Sequence, residues 1–244
     1  LEQSMMRNRL EDPTRSDLIK WWYKVGHSRR TARVARTLGP MLGGRTGELL
    51  EIAAILHDAG RFPQVKRYGT FNDAESADHG ALSADVTLAG RERLLENGLT
   101  EQEFLELHDA VLRHNKLALP GDGVLVHALR DCDRIEIAAS VPRIMTTKDK
   151  AAFFIGIPET EFEWPARPSD SFLAAYMDGR VPSRLDMEKR TDELLNVFTW
   201  TTGNLALEQS RKLCAQARLS TRMLTVFDRT WHGYETVARL AEGR

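Results

Sequence analysis

Cysteine is almost absent: the chain of 244 residues has two, Cys132 and Cys214, far apart and in no CxxC pair. A disulfide framework and a thiolate zinc site are thereby excluded as organising devices. Neither sign of charge is in excess, with Lys+Arg 34 against Asp+Glu 35 and a net charge of -1. A dedicated nucleic-acid coat or a polybasic membrane binder needs positive excess, so both classes drop out. No apolar run approaches the roughly 20 residues that a membrane span requires. Residues 1–10 carry no apolar core of the signal-peptide kind. A cytoplasmic protein without membrane attachment is expected. Alternating strand patterns, a Gly-rich phosphate loop and internal repeats are missing as well.

What is present is helical periodicity. Hydrophobic residues make up 42% and charged residues 28%, a globular balance that excludes wholesale disorder. Leu18, Ile19, Trp22 and Val25 follow the i, i+3, i+4, i+7 pattern of an amphipathic helix and are expected to face inward. A second helix is predicted from His27 towards Leu42, ended by Gly43-Gly44. Residues 48–58 predict a third helix, apolar on nearly every side and therefore buried, with Gly60 and Pro63 breaking it. Residues 61–78 read as a polar and aromatic loop, the kind of place where function resides. Further helices are predicted near 79–97, 101–115, 123–140, 184–202, 205–218 and 220–241. Pro158, Pro165 and Pro168 mark 155–170 as an irregular excursion. The fold class is all-α, a compact helical bundle. The expected organisation is one domain over 1–244, with a motif-bearing core at about 20–140 and a helical elaboration at about 141–244.

Seven histidines fall mostly in the first half of the chain. His27, the pair His57-Asp58, His79, His114 and Asp133 occur in that order, each in or beside a predicted helix. His114 shares a face with Leu107 and Val111, and Asp133 with Val126, Leu129 and Ile137. Imidazoles and a carboxylate pointing into a core are costly unless compensated. A divalent metal compensates them, and this ligand chemistry suits Mn, Fe, Co, Ni or Zn. Bundles hold such ions between facing helices.

The text around these residues resembles the HD superfamily of metal-dependent phosphohydrolases. The resemblance rests on Gly26-His27-Ser28, on Ala53-Ala54-Ile55-Leu56-His57-Asp58-Ala59-Gly60 and on Asp78-His79-Gly80. Arg113-His114-Asn115-Lys116 and Leu129 to Glu136 around Asp133 complete it. It covers about residues 20 to 140 and implies a helical bundle of the HD type, with the remaining helices as a C-terminal elaboration. It further implies one divalent ion, with Mg added to the metals above, held by His27, His57, Asp58 and Asp133. His79 and His114 match positions that in some branches ligate a second metal and in others bind the substrate phosphate. One or two ions per chain are thus allowed.

The implied chemistry is metal-assisted hydrolysis of a phosphoester of a small molecule, most naturally a nucleotide. The ion activates a water and polarises the phosphoryl oxygen, and basic groups neutralise charge developing on phosphate. Asp58, Arg61 and Lys116 are the catalytic candidates, and Gln64, Tyr68, Arg130 and Arg134 the substrate-binding ones. Ala59-Gly60-Arg61-Phe62 follows the dyad where stringent-response hydrolases carry an acidic pair, and no Gly-Tyr-Pro tripeptide accompanies His114. Both specialised branches are therefore disfavoured. Two other functions remain: a diiron oxygenase of the same superfamily, using all six residues, and a nucleotide-binding regulatory module without turnover.

Several residues have plainer readings. Asp131 rivals Asp133 as ligand and is expected instead to orient one. His108-Asp109 is a second dyad on a solvated helix face and is read as structural, as are His127 and His232. Trp21-Trp22 is expected in the core. The apolar face of 184–202 is read as core, and a homodimer through it is the alternative. The partner implied is a small phosphorylated substrate, with no dedicated nucleic-acid binding and no membrane.

Overall fold

A computed structural model of the chain describes residues 15–117, 119–146, 163–180 and 186–243. It is all-α: the described residues contain helices and short 3-10 turns, with one isolated bridge between Ala166 and Phe227 and no strand. No helix among them is long and apolar enough to cross a membrane. Two compact units divide at residue 133: Leu1–Asp133 and Arg134–Arg244.

In the first unit, α1 (Arg15–Leu42) and α2 (Gly44–Leu56) form a helical hairpin. The two helices predicted on either side of His27 are one, because nothing in Val25-Gly26-His27 obliges the chain to leave helical geometry. Gly43, at φ 79°, makes the turn. Gly39 and Gly47 face each other so closely that a Cβ on Gly47 would lie 2.8 Å from the Gly39 carbonyl oxygen. Backbones meet there because side chains are absent. Next come α3 (Arg61–Tyr68), α4 (His79–Ala89), α5 (Arg91–Glu96) and α6 (Glu101–Arg113). A Thr100/Glu103 capping box starts α6. α2 and α4 pack on α6, and α3 packs on α1 and α4. α7 (Val124–Ile144) carries Asp133.

Three further expectations need correction. Residues 61–68 are helix rather than loop. Pro63 is the third residue of α3, where backbone N–H groups have no intrahelical acceptor, so its missing donor costs nothing. Gly69, at φ 71°, closes the helix by donating to Val65 O. Residues 69–78 then form a strap with a 3-10 turn at Asp73–Glu75. Second, Leu18, Ile19 and Trp22 are exposed, Trp22 at 71%. Buried on α1 are instead Asp17, His27, Ser28, Thr31, Ala32, Ala35 and Leu38, so the inward face is polar as far as Thr31 and apolar beyond it. Third, Ile55 of α2 is exposed at 46%, so that helix is not buried all round.

The second unit contains α8 (Asp170–Met177), α9 (Asp192–Thr201), α10 (Glu208–Gln216), α11 (Leu219–Met223) and α12 (Tyr234–Ala241). α8 lies at the end of the predicted excursion, of which 155–162 falls outside the described residues. Ser169 starts it, its side chain accepting from Phe172 N. Asp192, fully buried, accepts from Ser169 N and Ser169 Oγ and from the backbone N–H groups of Glu188 and Lys189. Phe172, Phe198, Leu194, Leu195 and Met223 form the core of this unit.

Candidate metal centre

Donor atoms of His27, His57 and Asp133 converge in the first unit, all within 4.8 Å of one another, and Asp58 lies beside them. His27 Nε2 lies 3.2 Å from His57 Nε2 and 2.9 Å from Asp133 Oδ1. His57 Nε2 lies 3.8 Å from Asp133 Oδ1, and Asp58 Oδ2 is 3.5 Å from each of the two Nε2 atoms. Bonds of about 2.1 Å from a shared ion put neighbouring donors about 3.0 Å apart in octahedral and about 3.4 Å apart in tetrahedral geometry. The spacings among His27, His57 and Asp133 bracket both values.

Local structure explains how the donors come together. α2 ends at Leu56, and His57 and Asp58 occupy the turn beyond it. That turn is pressed onto α4. Gly60 N donates to Ser83 Oγ at 2.8 Å, and a Cβ on Gly60 would overlap the backbone of Leu82 and Ser83. His57 Nδ1 donates to Ala54 O at 2.8 Å, and His114 Nδ1 donates to Val111 O at 2.7 Å. Each bond fixes the proton on Nδ1 and leaves Nε2 as a lone pair.

Charge completes the picture. Burial pushes His57 below its ordinary value and outweighs the carboxylates of Asp58 and Asp133. Burial, with His57 and His79 alongside, pushes His114 down to about 3. Burial would raise Asp58, but Lys24, His57, Arg61 and His27 hold it well below the usual carboxylate value. Burial would likewise raise Asp133, and His27 and His57 hold it low. Neutral imidazoles beside ionised carboxylates are the protonation states a metal ion requires. Asp133 Oδ1 is buried and lies 2.9 Å from His27 Nε2. With the His27 proton on Nε2 the pair is a hydrogen bond; with that nitrogen bare, two acceptors face each other, which is costly unless a cation meets both. The donor set therefore fits a divalent ion.

The cluster extends on one side. His114 joins His57 and Asp58 with donor atoms all within 4.8 Å of one another. His79 Nε2 lies 3.7 Å from Asp58 Oδ1, the oxygen opposite the one facing His27 and His57. The rings of His27, His57, His114 and His79 follow one another at centroid distances of 5.2, 5.0 and 4.9 Å. Asp58 thus has one oxygen on each side of a six-residue array.

Arg61 reaches the array, its Nε 3.3 Å from Asp58 Oδ1. Lys24 does so too, its Nζ 2.5 Å from Asp58 Oδ2. Sequence reading missed Lys24; its only signal is its place one helical turn before His27 on the same face. Both cations lie over the Phe71 ring, at 5.6 Å for Lys24 and 5.4 Å for Arg61.

The structure gives other surroundings to the remaining candidates. Gln64 is buried and holds the strap, donating to Asp73 Oδ1, Ser76 Oγ and Ala77 O. Tyr68 carries the Arg67 guanidinium over its ring. Lys116, 45% exposed, pairs with Asp78, the N-cap of α4. Arg130 is buried, donates to Arg113 O and Leu117 O and pairs with Asp122, pinning the turn before α7. Arg134 belongs to the second unit, where it donates to Asn204 O and stacks on Trp200. Of the decoys, Asp109 pairs with Arg113 on the surface of α6, and exposed His232 pairs with Asp170.

A family model described as the HD domain matches residues 25–138. No curated protein and no solved structure matches the chain.

Proposed function

We propose that this chain, whose residues 25–138 match the HD-domain family model, is a divalent-metal-dependent phosphohydrolase acting on a small phosphorylated molecule, with a nucleotide as the first class to test. The family is one of metal-dependent hydrolases, and the His/Asp groups of this chain can hold a metal. The observation that carries the reading is the convergence of His27, His57, Asp58 and Asp133 beside two cations, Lys24 and Arg61, that both engage Asp58.

In this reading His27, His57, Asp58 and Asp133 hold the ion. When bound, such an ion lowers the pKa of a coordinated water and polarises a phosphoryl oxygen. Asp58 Oδ1, on the side facing His79, orients the attacking water. Lys24 and Arg61 donate to the phosphate oxygens, since cationic donors are stronger where charge develops in a desolvated site. Phe71, beneath both cations, screens them from solvent. The near-zero net charge of the molecule leaves phosphate attraction to these two side chains and the ion.

The test is phosphate release from a panel of nucleotides and simple phosphoesters, with Mn, Fe, Co, Ni, Zn or Mg supplied in turn. His57→Ala and Asp58→Ala are expected to lose about 100-fold or more of the activity, in line with removal of a ligand or of its support. Equal rates in the wild type and both variants would end this assignment. A second reading, a diiron oxygenase, draws on the extension of the array to His79 and His114. Two irons per chain with substrate-dependent oxygen consumption, and no phosphate release, would favour it.

A further inference from the structure

His57 and His114 obtain their Nδ1 acceptors from the helical turn preceding them, the carbonyls of Ala54 and Val111. His79 has no such source. It is the first residue of α4, so no helical turn precedes it. Its Nδ1 lies instead 2.5 Å from Asp73 Oδ2, a side chain on the strap six residues earlier.

Asp73 does more than meet His79. Its Oδ1 accepts from Arg61 Nη1 at 3.0 Å and from Gln64 Nε2 at 2.9 Å. Arg61 in turn lies 3.3 Å from Asp58 Oδ1, the oxygen that faces His79 Nε2 at 3.7 Å. The carboxylate therefore closes a ring: Asp73, His79, Asp58, Arg61 and back to Asp73. Asn115 braces it, with Nδ2 2.6 Å from Asp78 Oδ1 and 3.4 Å from Asp73 Oδ2.

We propose that Asp73 is a positioning residue that fixes His79 in the tautomer with a bare Nε2 and, through its other oxygen, sets Arg61 against Asp58. This rests on the reading of His79 and Arg61 as members of the phosphohydrolase site. Asp73, Asp78 and His79 also have metal-ligand proximity, but hydrogen-bond donors already occupy both oxygens of each carboxylate. Asp73 takes His79, Arg61 and Gln64, and Asp78 takes Gly80 N, Asn115 and Lys116. The group is thus a scaffold for His79 rather than a cation site of its own. An ionised carboxylate only accepts, so the proton of the pair belongs on Nδ1. Carboxylate partners of this kind orient ligand imidazoles and make them more basic.

The experiment uses the full chain, uniformly labelled with 15N, as wild type and Asp73→Asn. Long-range 1H–15N correlation reads each imidazole tautomer. Wild-type His79 is expected as the Nδ1–H form, and in Asp73→Asn its pattern is expected to become mixed while those of His57 and His114 stay unchanged. Calorimetric titration with Mn2+ alone, and separately with inorganic phosphate, is expected to show a loss of about 10- to 100-fold in whichever affinity His79 serves. The tighter Mn2+ event, if two occur, should be unaffected. Wild-type His79 in the Nε2–H form overturns the inference without recourse to any variant, so it stays testable even if Asp73→Asn fails to fold. An unchanged tautomer, or a changed tautomer with both affinities intact, also overturns it. Failure of the hydrolase reading looks different: wild-type protein would release no phosphate, while the tautomer test would still give its own answer.

Discussion

Lys24 and Asp58 form the contact from which most follows at the level of single residues. A lysine 2.5 Å from a carboxylate oxygen that also faces two imidazoles both neutralises that carboxylate and repels a divalent cation. Lys24→Met should therefore tighten Mn2+ binding by about tenfold, the smallest effect expected for one unit charge a few ångströms from a divalent ion. The same variant should raise KM for a phosphoester substrate by about tenfold or more, through loss of a charged hydrogen bond. Calorimetry with Mn2+ and steady-state kinetics read the two effects separately. Weaker Mn2+ binding would show that Lys24 only props up the fold. The sequence made the residues with distinctive neighbours legible: His27, His57-Asp58, His114 and Asp133 stand in recognisable text. It was silent on Lys24, Asp73 and Asn115, whose roles arise from contacts 34, 6 and 37 positions away along the chain. A lysine in a helix or an aspartate in a strap has no local signature of what it will touch.

Among the elements, the turn from α2 into α3 carries the heaviest constraint. Gly60 has an ordinary backbone conformation, φ -66°, yet no space for a side chain beside Leu82 and Ser83. Gly60→Ala should force α3 and α4 apart and destabilise the protein by about 1–3 kcal/mol, as overpacking does. It should also displace Asp58, two residues earlier. Chemical denaturation measures the first effect and metal affinity the second; an alanine variant with wild-type midpoint and affinity would disprove the packing account. The prediction of all-α structure held because period 3.6 persists along most of the chain. Single elements went astray where one residue has two meanings. Pro63 reads as a breaker but sits in a first turn that tolerates it, and Ser169-Asp170 is a helix start hidden behind three prolines. The apolar stripe of α1 misled for a different reason: periodicity locates a face, but only tertiary structure decides which face turns inward.

Taken whole, the molecule should be acid-labile in its metal-free form. The folded state holds His57 and His114 below the ordinary histidine value of 6.5, and Asp58 and Asp133 below the ordinary aspartate value of 3.8. Between the folded and unfolded values the unfolded chain binds more protons, so lowering the pH favours unfolding. Stability should be level above about pH 7, decline as pH falls through 6.5 towards about 3 on account of the histidines, and decline further below about 4 as the carboxylates join. Thermal melting of chelator-treated protein from pH 8 to pH 4 checks this. A melting temperature that rises on acidification would contradict the burial of neutral imidazoles described above.

The imidazole row from His27 through His57 and His114 to His79 has one more property, that of an electrical insulator. Passing a proton along such a row requires each ring to receive at one nitrogen and release from the other. In His57 and His114 the second nitrogen is bonded to a carbonyl of its own helix, and a carbonyl oxygen has nowhere to send a proton onward. The row is closed to conduction at its two middle members. A proton leaving the centre would therefore pass on the carboxylate side, by Asp58 or by Asp133, whose side chain is 24% exposed, and not through the ring-to-ring contacts that give the centre its shape.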